Sequence, residues 1–147
     1  MFSTYRIHYK NPLLMTAIFI ICFSGGMTSV QAESIDAARD QGKTLFSHPS
    51  FGGNGRACQS CHLGGGLDPG RLPNGKTLPS LGNAAAIFPR INRQGKLMTI
   101  QDQVRHCVAG AIEGTPPDYD SREMRALVVY LTSLSQGKPI DMDGRPQ

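Results

Sequence analysis

The sequence predicts an all-α fold: one domain of three helices, with a long glycine- and proline-rich stretch between the first and the second. Three observations carry this. Apolar residues recur at helical spacing in three segments. Residues 50–96 hold nine glycines between Gly52 and Gly82, and four prolines. No segment shows strand alternation or an internal repeat. The 147 residues suffice for a single domain with a targeting segment and exclude a barrel enzyme or a full dinucleotide-binding fold. Fifteen Lys and Arg stand against 11 Asp and Glu, a net +4 that is spread along the chain and offers no footprint for nucleic acid.

Residues 1–32 read as an address. Arg6, His8 and Lys10 make a positive start, Leu13 to Phe23 is an apolar run, and Val30-Gln31-Ala32 fits the small-x-Ala rule. This is the pattern of a secretory signal peptide cleaved after Ala32. The apolar run is well short of the ~20 residues a spanning helix needs. The expected mature chain, 33–147, keeps all 11 acids and 13 bases, for a net +2. Its domain is expected over 33–140, with a loose polar tail at 141–147.

In the first helix Ser34 is the expected cap, with Ile35, Ala38, Gly42, Leu45 and Phe46 on one side and Pro49 beyond the end. The stretch that follows is too long for a bare loop in a compact domain, so something other than backbone pairing must organise it. The second helix is expected from Thr99 to Ile112, opened by a Thr99/Asp102 capping box and broken by Gly114-Thr-Pro-Pro. The third is capped by Ser121 or Asp120, carries Met124, Leu127, Val128, Leu131 and Leu134 at helical spacing, and closes at Gly137.

The chemistry is concentrated at Cys58-Gln-Ser-Cys61-His62. C-x-x-C-H is the signature for covalent attachment of c-type haem. Two thiols three positions apart can bond the two vinyl groups of a porphyrin, and the following imidazole can ligate the iron from below. Other readings account for less. A Cys58–Cys61 disulfide leaves Cys107 alone and His62 without a role. A zinc site would need Cys107 with His48 or His106 at spacings of no common finger. A thioredoxin-type pair follows a strand, and no strand pattern precedes this one. One covalent haem c, held by Cys58 and Cys61 with His62 as axial iron ligand, is therefore expected.

Gly42 followed by Phe46 in the first helix, and Leu127-x-x-Tyr130-Leu131 in the last, resemble class I cytochrome c. That resemblance implies terminal helices that cross at a glycine–aromatic contact beside the haem, with residues 50–96 wrapping it. Such proteins usually take a methionine from the loop before the last helix as second axial ligand, but here the loop reads Gly114-Thr-Pro-Pro. Met124 reads as core and Met142 lies in the tail. Met98, His106 and Cys107 remain. At 100° per residue Ile100, Val104, Cys107 and Ala111 share one apolar face, from which His106 points away. Cys107 is the expected ligand and Met98 the alternative.

From Thr99 to Cys107, and from Glu123 through Tyr130 to Ile140, the chain also resembles periplasmic thiosulfate dehydrogenase and the sulfur-binding haem subunit of the Sox thiosulfate-oxidising complex. The resemblance implies a cysteine ligand at Cys107 and a thiosulfate-related anion as substrate. It further implies positive charge over the haem, here from Arg93 and Arg90. The dehydrogenase pattern carries arginines four before and three after that cysteine; this chain has Gln103 and Gly110. The expected function is one-electron transfer by an exported, periplasmic monohaem cytochrome, with a redox partner protein such as a second cytochrome. The alternative is a catalytic or sulfur-binding subunit using Cys107, Arg93 and Arg90 on thiosulfate.

Overall fold

A computed structural model describes residues 33–146. The expected signal peptide, 1–32, lies outside the described residues. Three helices carry the architecture: α1 (Ile35–Ser47), α2 (Ile100–Cys107) and α3 (Arg122–Leu134).

Each helix starts where a side chain can satisfy the free amides of its first turn. Ser34 Oγ accepts from Ala37 N–H at 3.0 Å, and Ser121 Oγ accepts from Met124 N–H at 3.1 Å. At α2 the bonds are reciprocal: Asp102 N–H donates to Thr99 Oγ1 at 3.2 Å, and Thr99 N–H donates to Asp102 Oδ2 at 2.8 Å. Tyr119 OH also donates to Asp102, at 2.6 Å. These donors, Tyr119 first, hold the Asp102 carboxyl down at about 2.

Three features differ from the sequence reading. First, the helix from Ile100 does not run to Ile112 in one winding. It is α-helical to Cys107 and π-helical over Val108–Ile112. The Val108 carbonyl accepts from both Glu113 N–H and Gly114 N–H, and Glu113 ends the segment at φ 59°. Wider winding of this kind often marks a functional position. Second, the long loop holds two short antiparallel hairpins. β1 (Gly70–Arg71) pairs with β2 (Thr77–Leu78), and β3 (Arg90–Ile91) with β4 (Leu97–Met98). Both are built alike, each with a Gly-Lys pair (Gly75-Lys76, Gly95-Lys96) directly before its second strand and the glycine at positive φ. Two-residue strands are too short to display alternation, and the turn chemistry rather than the sequence at large is what repeats. Third, the tail expected to be loose is pinned over residues 141–146. Asp141 N–H donates to Ala86 O at 2.9 Å, Ile91 N–H donates to Asp143 Oδ1 at 3.0 Å, and Asn83 Nδ2 donates to Arg145 O at 2.9 Å. Polar residues that look solvated in a sequence here pair the backbone of a loop that has few partners of its own.

The core joins α1, α3 and the π segment through Phe46, Phe51, Val108, Ile112, Leu127, Tyr130 and Leu131. Gly42 sets the approach of α1 to α3. A Cβ there would run into the Ala126 carbonyl and stand 2.7 Å from Tyr130 Cβ. Tyr130 packs its ring on Phe46, 5.3 Å between centroids, and donates its hydroxyl to Gly65 O at 2.7 Å, tying the last helix to the loop after His62.

Two outcomes follow. Gly42→Val over-packs a backbone contact and is expected to cost about 1–3 kcal/mol, read as a lowered Tm. Asp102 is held below its ordinary value of 3.8, so its contribution to stability is present above about pH 4 and is lost as pH falls toward 2. Asp102→Asn should lose that part of the acid limb in a pH series of urea midpoints.

Candidate functional site

The Cys58–Ser60 segment is a single tight helical turn. Ser60 caps it, accepting from Ala57 N–H at 3.0 Å, and His62 N–H donates to Cys58 O at 3.0 Å. The turn brings Cys58, Cys61 and His62 to one side. Gly70 lets β1 lie against it: a Cβ at Gly70 would strike the Cys61 carbonyl, which instead accepts from Arg71 N–H at 3.2 Å.

These three residues line a cavity of about 690 Å³. Phe46, Leu81, Ile87, Leu127 and Leu131 give it an apolar interior. Ile100, Val104, Cys107 and Ala111, the face expected from helical spacing, all line it as well. Cys107 is the last α-helical residue before the winding changes. His106, expected to point away from this face, is exposed but lines both the cavity and a second cleft.

The electrostatics follow from burial. The Cys58 thiol is pushed up to about 11, mainly by desolvation and next by the nearby Cys107. Burial also raises Cys107, against a hydrogen bond from Gln103 that lowers it. His62 is held below its ordinary value by burial, which keeps its imidazole neutral and its lone pair available. Its Nδ1 is buried and has no hydrogen-bond partner among the described residues.

The donor set fits haem. A cavity of this size suits a cofactor and is lined as cofactor sites are, by apolar groups with a few placed polar ones. The cysteines Cys58, Cys61 and Cys107 are free thiols. Among the described residues no three His, Cys, Asp or Glu side chains gather to hold a bare ion. A porphyrin brings four nitrogens and asks the protein only for axial ligands.

Residues 41–140 match the cytochrome c domain of the SoxA/TsdA family. The chain belongs to that family. As a cytochrome c domain it carries covalently bound haem c. It is 29% identical over 118 residues to a thiosulfate dehydrogenase of Psychrobacter arcticus, covering 76% of this chain and 34% of the relative. It is 25% identical over 111 residues to the L-cysteine S-thiosulfotransferase subunit SoxA of Rhodovulum sulfidophilum, covering 74% and 34%. The chain thus spans about a third of the length of these relatives. Among solved structures, SoxXA from P. pantotrophus shares the fold, with a TM-score of 0.58 at 24% identity over 73% of this chain and 36% of that one.

The other residues singled out in the sequence divide between two places. Arg90 lines the haem-sized cavity and a neighbouring cleft of about 590 Å³. Arg93 and Met98 line that cleft and not the cavity. Met124 is core, 1% exposed, and Met142 lies exposed in the tail. Gln103 is the residue whose place the sequence reading missed. Its Nε2 lies 3.4 Å from Cys107 Sγ and its Oε1 accepts from Arg90 Nη2 at 3.0 Å. The spacing of Gln103 and Cys107, four apart on one helix, was the available signal.

Gly70→Val should displace β1 from the Cys61–His62 backbone. Haem bound per polypeptide, measured by pyridine haemochrome absorbance, is expected to fall, while Gly75→Ala, whose turn borders open space, should keep incorporation closer to the wild type.

Proposed function

We propose that this is an exported, periplasmic cytochrome with one haem c, which passes single electrons to and from a partner protein. The observation that carries the reading is the convergence of Cys58, Cys61 and His62 with Cys107 on one apolar cavity. Cys58 and Cys61 would hold the group by thioether bonds, each an addition of S–H across a vinyl group that needs no oxidant. His62 and Cys107, which both line the cavity, would be the ligands to iron. When bound, haem supplies a one-electron ferric–ferrous couple. The chain's own residues do the rest. Phe46, Leu127 and Leu131 exclude water, and the His62 imidazole is neutral and placed by the Cys58–Ser60 turn. The helices α1 and α3 would cross at their Gly42 contact beside the group, and residues 50–96 would wrap it. The partner is a redox protein such as a second cytochrome.

A second reading rests on a separate observation. The cleft beside the cavity carries Arg90, Arg93, Lys96 and His106, and shares Arg90, Gln103 and His106 with it. Arg90, Arg93 and Lys96 outnumber the Asp102 carboxylate in that cleft, and cations so placed offset the cost of bringing a dianion near an apolar site. This favours a sulfur-binding or catalytic role on thiosulfate, with Cys107, Arg90 and Arg93 in the site. Turnover of thiosulfate with an artificial electron acceptor separates the two readings. One-electron transfer without turnover supports the first.

The purified protein should start at Glu33 and exceed its peptide mass by one haem that acid acetone does not extract. Its low-temperature spin-resonance spectrum should report a thiolate ligand, and the red-edge band of a methionine–iron bond should be absent. Thiolate stabilises ferric iron, so Cys107→Met should raise the potential by at least about 60 mV, a tenfold change for one electron. Cys107→Ala should leave a position that added imidazole or cyanide fills readily. A methionine band lost in Met98→Ala would make Met98 the ligand instead.

A further inference from the structure

The three groups Arg90, Gln103 and Cys107 form a chain of contacts that neither electron transfer nor anion binding accounts for. Arg90 Nη2 donates to Gln103 Oε1 at 3.0 Å, and Gln103 Nε2 donates to Cys107 Sγ at 3.4 Å. The orientation of the amide follows from donor chemistry. A guanidinium only donates, so the amide oxygen must face Arg90, and the amide nitrogen is left to face the sulfur. The flipped amide would set N–H against N–H on one side and oxygen against sulfur on the other. Arg90 is itself held. It pairs with Met98 across β3 and β4, and its guanidinium carbon lies 5.1 Å from the centre of the Phe88 ring. Helix α2 fixes the other end, placing Gln103 one turn before Cys107.

We propose that Gln103 is a positioning residue: aimed by Arg90, it donates a hydrogen bond to Cys107 Sγ and so sets how strongly that sulfur donates to iron. The proposal rests on Cys107 being the axial ligand, as argued above. A hydrogen bond to a ligating sulfur withdraws electron density from it, and hydrogen bonding around a ligand is one of the levers by which a protein tunes a potential. The donor therefore offsets part of the preference of a thiolate for ferric iron. The neutral amide reaches the sulfur directly and draws its direction from an arginine on another element.

The test uses the haem-loaded protein and reads the potential and the sulfur-to-iron charge-transfer absorption. Gln103→Leu keeps the bulk and removes the donor. It should shift the equilibrium toward ferric by about three- to tenfold, tenfold being 59 mV lower for one electron, and move the absorption to longer wavelength. Gln103→Glu keeps the Arg90 contact but presents only acceptors to the sulfur, and should shift both readings the same way. Arg90→Leu should lower the potential in the wild type and lower it less in the Gln103→Leu background, since its action runs partly through the amide. Strict additivity would overturn the role of Arg90. Wild-type readings in both Gln103 variants, in a protein whose Cys107→Ala form differs from the wild type, would overturn the relay and leave the ligation standing. Unchanged readings in Cys107→Ala would sink the ligation itself, and the relay with it.

Discussion

The core of this domain and the wall of its cavity share side chains. Phe46, Ile112, Leu127 and Leu131 belong to the packed cluster that joins the helices, and each also faces the cavity of about 690 Å³. A small domain buries a modest fraction of its surface, and side chains lining a cavity of that size make part of their contacts with the group that fills it. Folding and cofactor retention are therefore one problem. Whatever fills the cavity completes the core, and whatever loosens the core opens the cavity. A covalent tether suits this coupling, because it keeps the filling group at high local concentration whenever the walls part.

The helices were legible because their signals are local. Ser34, Thr99 with Asp102, and Ser121 are the side chains that cap them, and each can be found from a few neighbouring residues. The glycine at 42 was legible too, as a small residue on a buried helical face. The departures depend on partners distant in sequence. The tail looks solvated until Ala86, Ile87 and Ile91 are brought beside it. The hairpins rest on two residue pairs each, too few for any periodicity. The π segment has an ordinary helical composition, and its winding answers to the ends it must reach, with Val108 and Ile112 in the core and Glu113 in a left-handed turn.

The site divides in the same way. The turn carrying Cys58, Cys61 and His62 is a contiguous motif, and its chemistry can be read directly. Cys107 needed only helical geometry to be placed on the face that holds Ile100 and Val104. Gln103 could be read only as a departure from a related pattern, a place where a charge is missing. The structure gives the residue a positive description, because Arg90 arrives from a hairpin thirteen positions upstream. A charge missing from a sequence pattern and a contact in three dimensions are different kinds of information.

The contact at Gly42 has a bearing on how the chain finds its structure. Gly42 and Ala126 meet although 84 positions separate them in the sequence. Closing so long a loop carries an entropic cost that grows only slowly with length, but none of it is repaid until the two helices touch. Local turns, such as the caps and the Cys58–Ser60 segment, carry no such delay. The Tyr130 hydroxyl on Gly65 O divides the loop, so that one encounter of α3 fixes both α1 and the stretch after His62. The Cys58–Ser60 turn thus lies inside the loop that this encounter closes, and it is most accessible before the two helices have met.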